Sequence, residues 1–192
     1  MDRRTLRSVR HKGFSLFEMM VTVAVGLVLA SVALPFVVAT VQRYRLNSVA
    51  QQTASLIDLA RYSAIRLNKV ISLQKTAQNG NTVLYVDMNG NSALDTSDPM
   101  IVFPSDMQIA NSDSLTPGSS SMGLGTTISF ASSISFDFRG VLSFPPGVTP
   151  GAYFLAIGYT SQAQYGTRAV TVTPMGQTKA WIAPPSGTWS GM

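Results

Sequence analysis

An unbroken apolar run dominates the pattern of the chain. From Met19 to Val41, 23 residues pass without a charged side chain, most of them Val, Leu, Ala, Met or Phe. As a helix rising about 1.5 Å per residue, this run spans roughly 35 Å, enough for the hydrocarbon core of a bilayer. The helical period then continues in a different key. Leu46, Val49, Thr53, Leu56, Ala60, Ser63 and Leu67 recur at steps of three and four, with Arg45, Gln52 and Arg66 on the other side. Thr and Ser interrupt this stripe and no flanking charge pattern accompanies it. It therefore predicts packing on the rest of the chain rather than a free coiled coil. After Asn68 short β-type runs take over, expected at 69–75, 82–87, 100–103, 126–130, 134–138, 153–160, 168–173 and 178–182. Asn79-Gly80, Asn89-Gly90, Arg139-Gly140 and Pro146-Gly147 punctuate them as turns. The Ser/Asn/Gly/Pro-rich stretch 111–121 reads as a surface loop, and the tail from Ala183 to Met192 as too polar and broken for core.

Charge changes this picture by its placement. The 192 residues carry 14 Lys+Arg against 9 Asp+Glu, a formal +5. Residues 1–13 hold Arg3, Arg4, Arg7, Arg10 and Lys12 against Asp2, whereas residues 76–192 hold Arg139, Arg168 and Lys179 against six Asp, a net −3. The five basic residues before the apolar run outweigh Arg43 and Arg45 after it, which keeps the N-terminus cytoplasmic and exports the remainder. With 45% hydrophobic and only 12% charged residues, a disordered chain is excluded. The absence of Cys removes disulfide frameworks, thiol catalysis and the usual structural zinc sites.

The junction between the basic start and the apolar run reads Lys12-Gly13-Phe14-Ser15-Leu16-Phe17-Glu18. It resembles the prepilin cleavage motif of type IV pilins and type II secretion pseudopilins. That resemblance implies cutting by a membrane peptidase after Gly13 and N-methylation of Phe14. It also places Glu18 fifth in the mature chain, where the family keeps a glutamate, and Pro35 twenty-second, where many members have a kinking proline. A carboxylate beside an uncharged segment is costly toward the bilayer centre. The resemblance supplies a partner for Glu18, the positive N-terminus of a neighbouring subunit. Two opposite charges near 4 Å at an effective dielectric near 20 attract by about 4 kcal/mol, enough to set register between subunits. Leu59 to Val70, with Ala60-Arg61, Ala64-Ile65, Asn68 and Val70, is similar to the helix end of the GspH/FimT branch of minor pilins and pseudopilins. Ile134–Gly140 and Val170–Gly176 resemble two late strand–Gly motifs of the same branch.

Candidate chemistry is sparse. The single His lies in the leader, and the chain after Gly13 has one Glu, which is Glu18. No imidazole or thiol is left to activate a nucleophile, so an enzyme is rejected. From Asp87 to Asp98, oxygen side chains at Asp87, Asn89, Asn91, Asp95 and Asp98 fall at the spacing of a calcium loop. Ser92 stands where such a loop wants Gly, Asp98 where it wants Glu, and strands rather than helices flank it, so a polar hairpin turn competes. Apart from Ca2+ at this loop, no cofactor is expected. DNA-binding members of the branch carry Gly-Arg-x-Arg, and the matching residues here are Gly176-Gln177-Thr178-Lys179. A patch of Arg168 and Lys179 could survive, but the −3 of residues 76–192 argues against phosphate binding.

The expected fold is α+β and pilin-like, a long N-terminal helix packed on a C-terminal antiparallel β-rich head. Its parts are a cleaved leader (1–13), a transmembrane and polymerisation helix (14–41), an amphipathic extension (42–68) and a periplasmic head (69–192). The resemblance implies a minor pseudopilin of a type II secretion system, inserted in the inner membrane and assembled with other pseudopilins or pilins into a filament. The alternatives are a minor pilin priming a type IV pilus, a DNA-capturing minor pilin, and an anchored β-domain that never assembles.

Overall fold

The computed structural model describes residues 13–110, 122–185 and 188–192. The leader residues before Gly13 and the 111–121 loop thus lie outside the described residues. Helix α1 runs from Leu16 to Leu67, and the chain divides into two units between Thr40 and Val41. In the first unit, α1 buries nothing: its most apolar eighteen residues have a mean hydropathy of 2.5 and are 0% buried.

The second unit begins with the remainder of α1. Leu46, Val49, Ala50, Thr53, Leu56, Ile57, Ala60, Ser63 and Ala64 are buried there, the spacing of one helix face. Thr53 sits within this face at little cost because its hydroxyl donates to the Val49 carbonyl at 2.8 Å. Leu67, expected on the same stripe, is instead 42% exposed, since the packed face ends at Ala64. The helix stops at Asn68, which takes φ +51°. The Asn68 amide donates to Ile65 and the Lys69 amide to Ala64, the paired bonds of a Schellman cap, and Asn tolerates the left-handed position.

Two sheets follow. In chain order the strands are β1 (Ile71–Gln78), β2 (Asn81–Asp87), β3 (Met100–Val102), β4 (Met107–Ala110), β5 (Thr127–Ser129), β6 (Ser133–Phe136), β7 (Leu142–Ser143), β8 (Ala152–Tyr159), β9 (Thr167–Val172), β10 (Thr178–Ala183) and β11 (Ser190–Gly191). The first sheet has the order β3-β2-β1-β6-β7 and the second β11-β10-β9-β8-β4, with β5 also on β8. Asn79 and Gly80, both at positive φ, form the two-residue turn between β1 and β2. One core joins the helix face to both sheets through Ile71, Leu73, Leu84, Ile134, Phe136, Leu155, Ile157 and Val170. The other face of β8 and β9 builds a second cluster, with Phe154, Ala156 and Ala169 under Trp181 and Trp189. Strand β8 is buried on both faces, which explains its near-continuous apolar sequence.

The expected antiparallel head is present, with one parallel pair: β5 on β8, in line with β4 along one edge. Strands β4, β7 and β11 were not legible as runs. The tail contributes one side chain to the core: Trp189 is 6% exposed and meets Phe154 edge to face at 5.8 Å, while β11 extends the second sheet with exposed residues.

Candidate functional site

The residues singled out by the sequence fall into two groups, one in each unit. In the first unit Gly13 and Phe14 precede the helix, and Phe14 is 73% exposed. Glu18 lies in the first turn of α1 and is exposed. Ser15, immediately before the helix, and Glu18 have the spacing of a capping box, a signal the sequence reading missed. A carboxylate here also complements the positive end of the helix dipole. Pro35 lies inside α1 without ending it. The polar side chains of this segment satisfy themselves: Thr22 donates to the Met19 carbonyl, Ser31 to Val28 and Thr40 to Phe36, at 2.7–2.9 Å. A helix facing hydrocarbon needs this, because no water is there to take its donors.

In the second unit the three family-like motifs meet at one point. Arg61 Nε donates to the Gly140 carbonyl at 3.1 Å. Gly140 has φ +75°, and a Cβ there would lie 2.7 Å from Ile65 Cδ1. Gly176 has φ +77°, and its Cβ would overlap the Gly140 carbonyl oxygen and sit 2.8 Å from Arg61 Nε. The Leu142 amide donates to Pro174 at 3.0 Å, tying the β6–β7 turn of one sheet to the β9–β10 turn of the other. The Asp137 carboxylate accepts from the Arg139 and Val141 amides at 2.9 and 3.0 Å and pairs with the Arg139 guanidinium at 2.9 Å. These bonds, the Val141 amide foremost, hold its pKa below the ordinary carboxylate value against partial desolvation. The glycines are therefore required by close approach of two turns and a helix, not by chemistry.

The Asp87–Asp98 segment joins β2 to β3 as a loop closed by its own hydrogen bonds. Asp87 accepts from the Gly90 and Ser92 amides at 2.6 and 2.9 Å, and Asp98 from Met88 and Asp95 at 3.3 and 3.0 Å. Asn89 and Asn91 turn their amide nitrogens to Asp95 at 2.7 and 2.8 Å, while their oxygens accept backbone N–H groups. Ser92 does adopt the left-handed turn conformation, at φ +59°. The loop's side-chain oxygens thus face donors of the loop itself, and among the described residues no three His, Cys, Asp or Glu side chains group together. The arrangement is a self-satisfied polar turn.

Arg168 and Lys179 do not form a patch. Arg168 is 5% exposed, with Nε on Asn47 Oδ1 and Nη1 on the Thr167 carbonyl. Lys179 is exposed and its ammonium lies 4.0 Å from the centre of the Trp181 ring. In the β9–β10 register Arg168 faces Ile182 and Lys179 faces Thr171, an odd offset that puts them on opposite faces of the sheet.

Two family models match the chain. The model of the family described as type II transport protein GspH matches residues 49–176, which includes the helix end and both glycine turns. A model of the prokaryotic N-terminal methylation motif matches residues 9–34. No curated protein matches the chain. Among solved structures, a crystal structure of the Pseudomonas aeruginosa type IV minor pilin FimU is 16% identical with a TM-score of 0.49, covering 77% of this chain and 94% of that one. The minor pseudopilin EpsH of the Vibrio cholerae type 2 secretion system is 12% identical with a TM-score of 0.44, covering 74% of this chain and 98% of that one. With well over half its length inside the family model, the chain belongs to the GspH family of type II transport proteins.

Proposed function

We propose that the chain works as a minor pseudopilin of a type II secretion system, a structural subunit with no catalytic role. The observation that carries this reading is the joint presence of the methylation-motif match at residues 9–34, which takes in most of the apolar run, and the GspH match at 49–176, which begins in the same helix and covers most of the head. The N-terminal basic residues hold the leader in the cytoplasm while Met19–Val41 crosses the inner membrane and the head stands in the periplasm. Prepilin peptidase cuts between Gly13 and Phe14 and methylates Phe14. Glu18 then pairs with the N-terminus of a neighbouring subunit, and the apolar helix passes from lipid into a filament of other pseudopilins, where Pro35 is accommodated by neighbours. The head presents its surface to partners. Its lack of Cys, with the only His in the leader, supports a non-enzymatic role.

Gly13→Val is expected to leave the leader attached, read as an unprocessed N-terminus by mass spectrometry. Glu18→Val is expected to be cut normally yet to lose crosslinks to other pseudopilins and to cut secretion of the system's substrates at least tenfold. Normal processing of Gly13→Val, or full crosslinking by Glu18→Val, would overturn the reading. Loss of surface pili with intact secretion would move the chain to a type IV pilus.

A further inference from the structure

Asn-Gly occurs twice in the chain, each time followed by Asn and a hydroxyl side chain: Asn79-Gly80-Asn81-Thr82 and Asn89-Gly90-Asn91-Ser92. Such a pair carries a reaction of its own. The backbone nitrogen of the glycine attacks the Asn side-chain carbon Cγ, forming an N–C bond as the bond from Cγ to the side-chain nitrogen breaks. The proton of the attacking amide leaves with that nitrogen as ammonia, and a succinimide ring closes. Water then opens the ring at either carbonyl, leaving aspartate or its β-linked isomer. Neither oxidant nor enzyme is needed. Glycine favours the attack because it has no Cβ to crowd the nitrogen and lets the peptide rotate. Since the two sites share their local sequence, the fold decides between them.

At the first site nothing restrains the reacting groups. Asn79 and Gly80 are the exposed tip of the β1–β2 hairpin, beyond its last paired residues, Gln78 and Asn81. Among the described residues neither the Asn79 side chain nor the Gly80 amide has a hydrogen-bond partner. Beyond its chain neighbours, no atom would come within 4 Å of a Cβ on Gly80. At the second site the same groups are occupied. The Gly90 amide, the nucleophile, donates to Asp87 Oδ1 at 2.6 Å. The Asn89 side chain is held at both ends: Nδ2 donates to Asp95 Oδ2 at 2.7 Å, and Oδ1 accepts from the Asn91 amide at 3.0 Å. To react, the carboxamide must turn away from both partners and the amide must leave Asp87. We propose that Asn79 is a spontaneous deamidation site of the folded chain and that the Asp87–Asp98 loop protects Asn89 from the same reaction. Conversion places a new negative charge on the hairpin tip, and the β-linked product also lengthens its two-residue turn by one backbone atom.

The full chain is held in detergent at mildly alkaline pH, and its proteolytic peptides are followed over weeks by mass spectrometry, with isoaspartate labelled by an isoaspartyl methyltransferase. A parallel sample is held in urea. In the folded chain Asn79 is expected to convert at least about tenfold faster than Asn89, where three hydrogen bonds must open first. In urea the two rates should approach each other. Asp95→Ala should speed conversion of Asn89 several-fold and leave Asn79 unchanged, with circular dichroism checking the fold. An Asn79 that stays intact in the folded chain overturns the site. Equal rates at the two positions in the folded chain, a ratio that persists in urea, or an Asn89 rate indifferent to Asp95→Ala overturns the protection.

Discussion

At Gly176 two constraints coincide, a left-handed φ and a space already filled by the Gly140 carbonyl and Arg61. Either alone would favour glycine; together they exclude every other residue without movement of a turn. Gly176→Ala is expected to cost about 3 kcal/mol or more, read as a lower denaturation midpoint of the full chain in detergent. Gly80 supplies the control: it has φ +79° but nothing within 4 Å of a Cβ. Gly80→Ala should therefore cost only about 1 kcal/mol. Equal midpoints for the two variants would refute the close-approach argument. In the sequence these glycines were visible as members of two motifs, yet nothing in the chain said that the motifs touch. That knowledge required the fold, because residues 140 and 176 belong to turns of different sheets.

Among the elements, the β6–β7 turn makes a pH-dependent contribution. Asp137 is held by amide bonds and Arg139 below its ordinary carboxylate pKa. A depressed carboxylate stabilises the folded chain above its unfolded pKa, and that stability is lost as pH falls through the folded value. The melting temperature should thus be flat with respect to this group from pH 7 to about 5 and fall below about pH 4. Asp137→Asn should flatten the acid limb while lowering stability at pH 7; an acid limb identical to that of the native chain would show that the turn contributes nothing. Helix α1 was the most legible element, because its apolar run, its stripe and Asn68 each report local chemistry. The stripe was misread at Leu67, where the period continues but the core does not. At the Asp87–Asp98 loop the sequence left a calcium loop and a polar turn both open. Oxygen spacing alone cannot reveal that its donors are backbone amides of the same loop.

For the whole head, the second cluster sets the extent of the fold. Trp189 covers Phe154 from a tail whose composition promised nothing. Trp189→Ala should cost about 3 kcal/mol and lower the unfolding midpoint. An unchanged midpoint would return the tail to the periphery. The family and the α+β plan could be read from the N-terminal third; sheet order, β4 and the parallel pairing of β5 could not, because their partner β8 lies far away in sequence, and β7 and β11, at two residues each, are too short to show a period. The arrangement of Arg61, Gly140 and Gly176 has a mechanical consequence for a subunit moved by its helix. The stripe from Leu46 to Ala64 contacts a core shared by both sheets, and one turn from each sheet grips the helix near its end. Tension along the helix is therefore carried in shear by all these contacts at once and divided between the sheets, so the head travels with its handle instead of peeling from it.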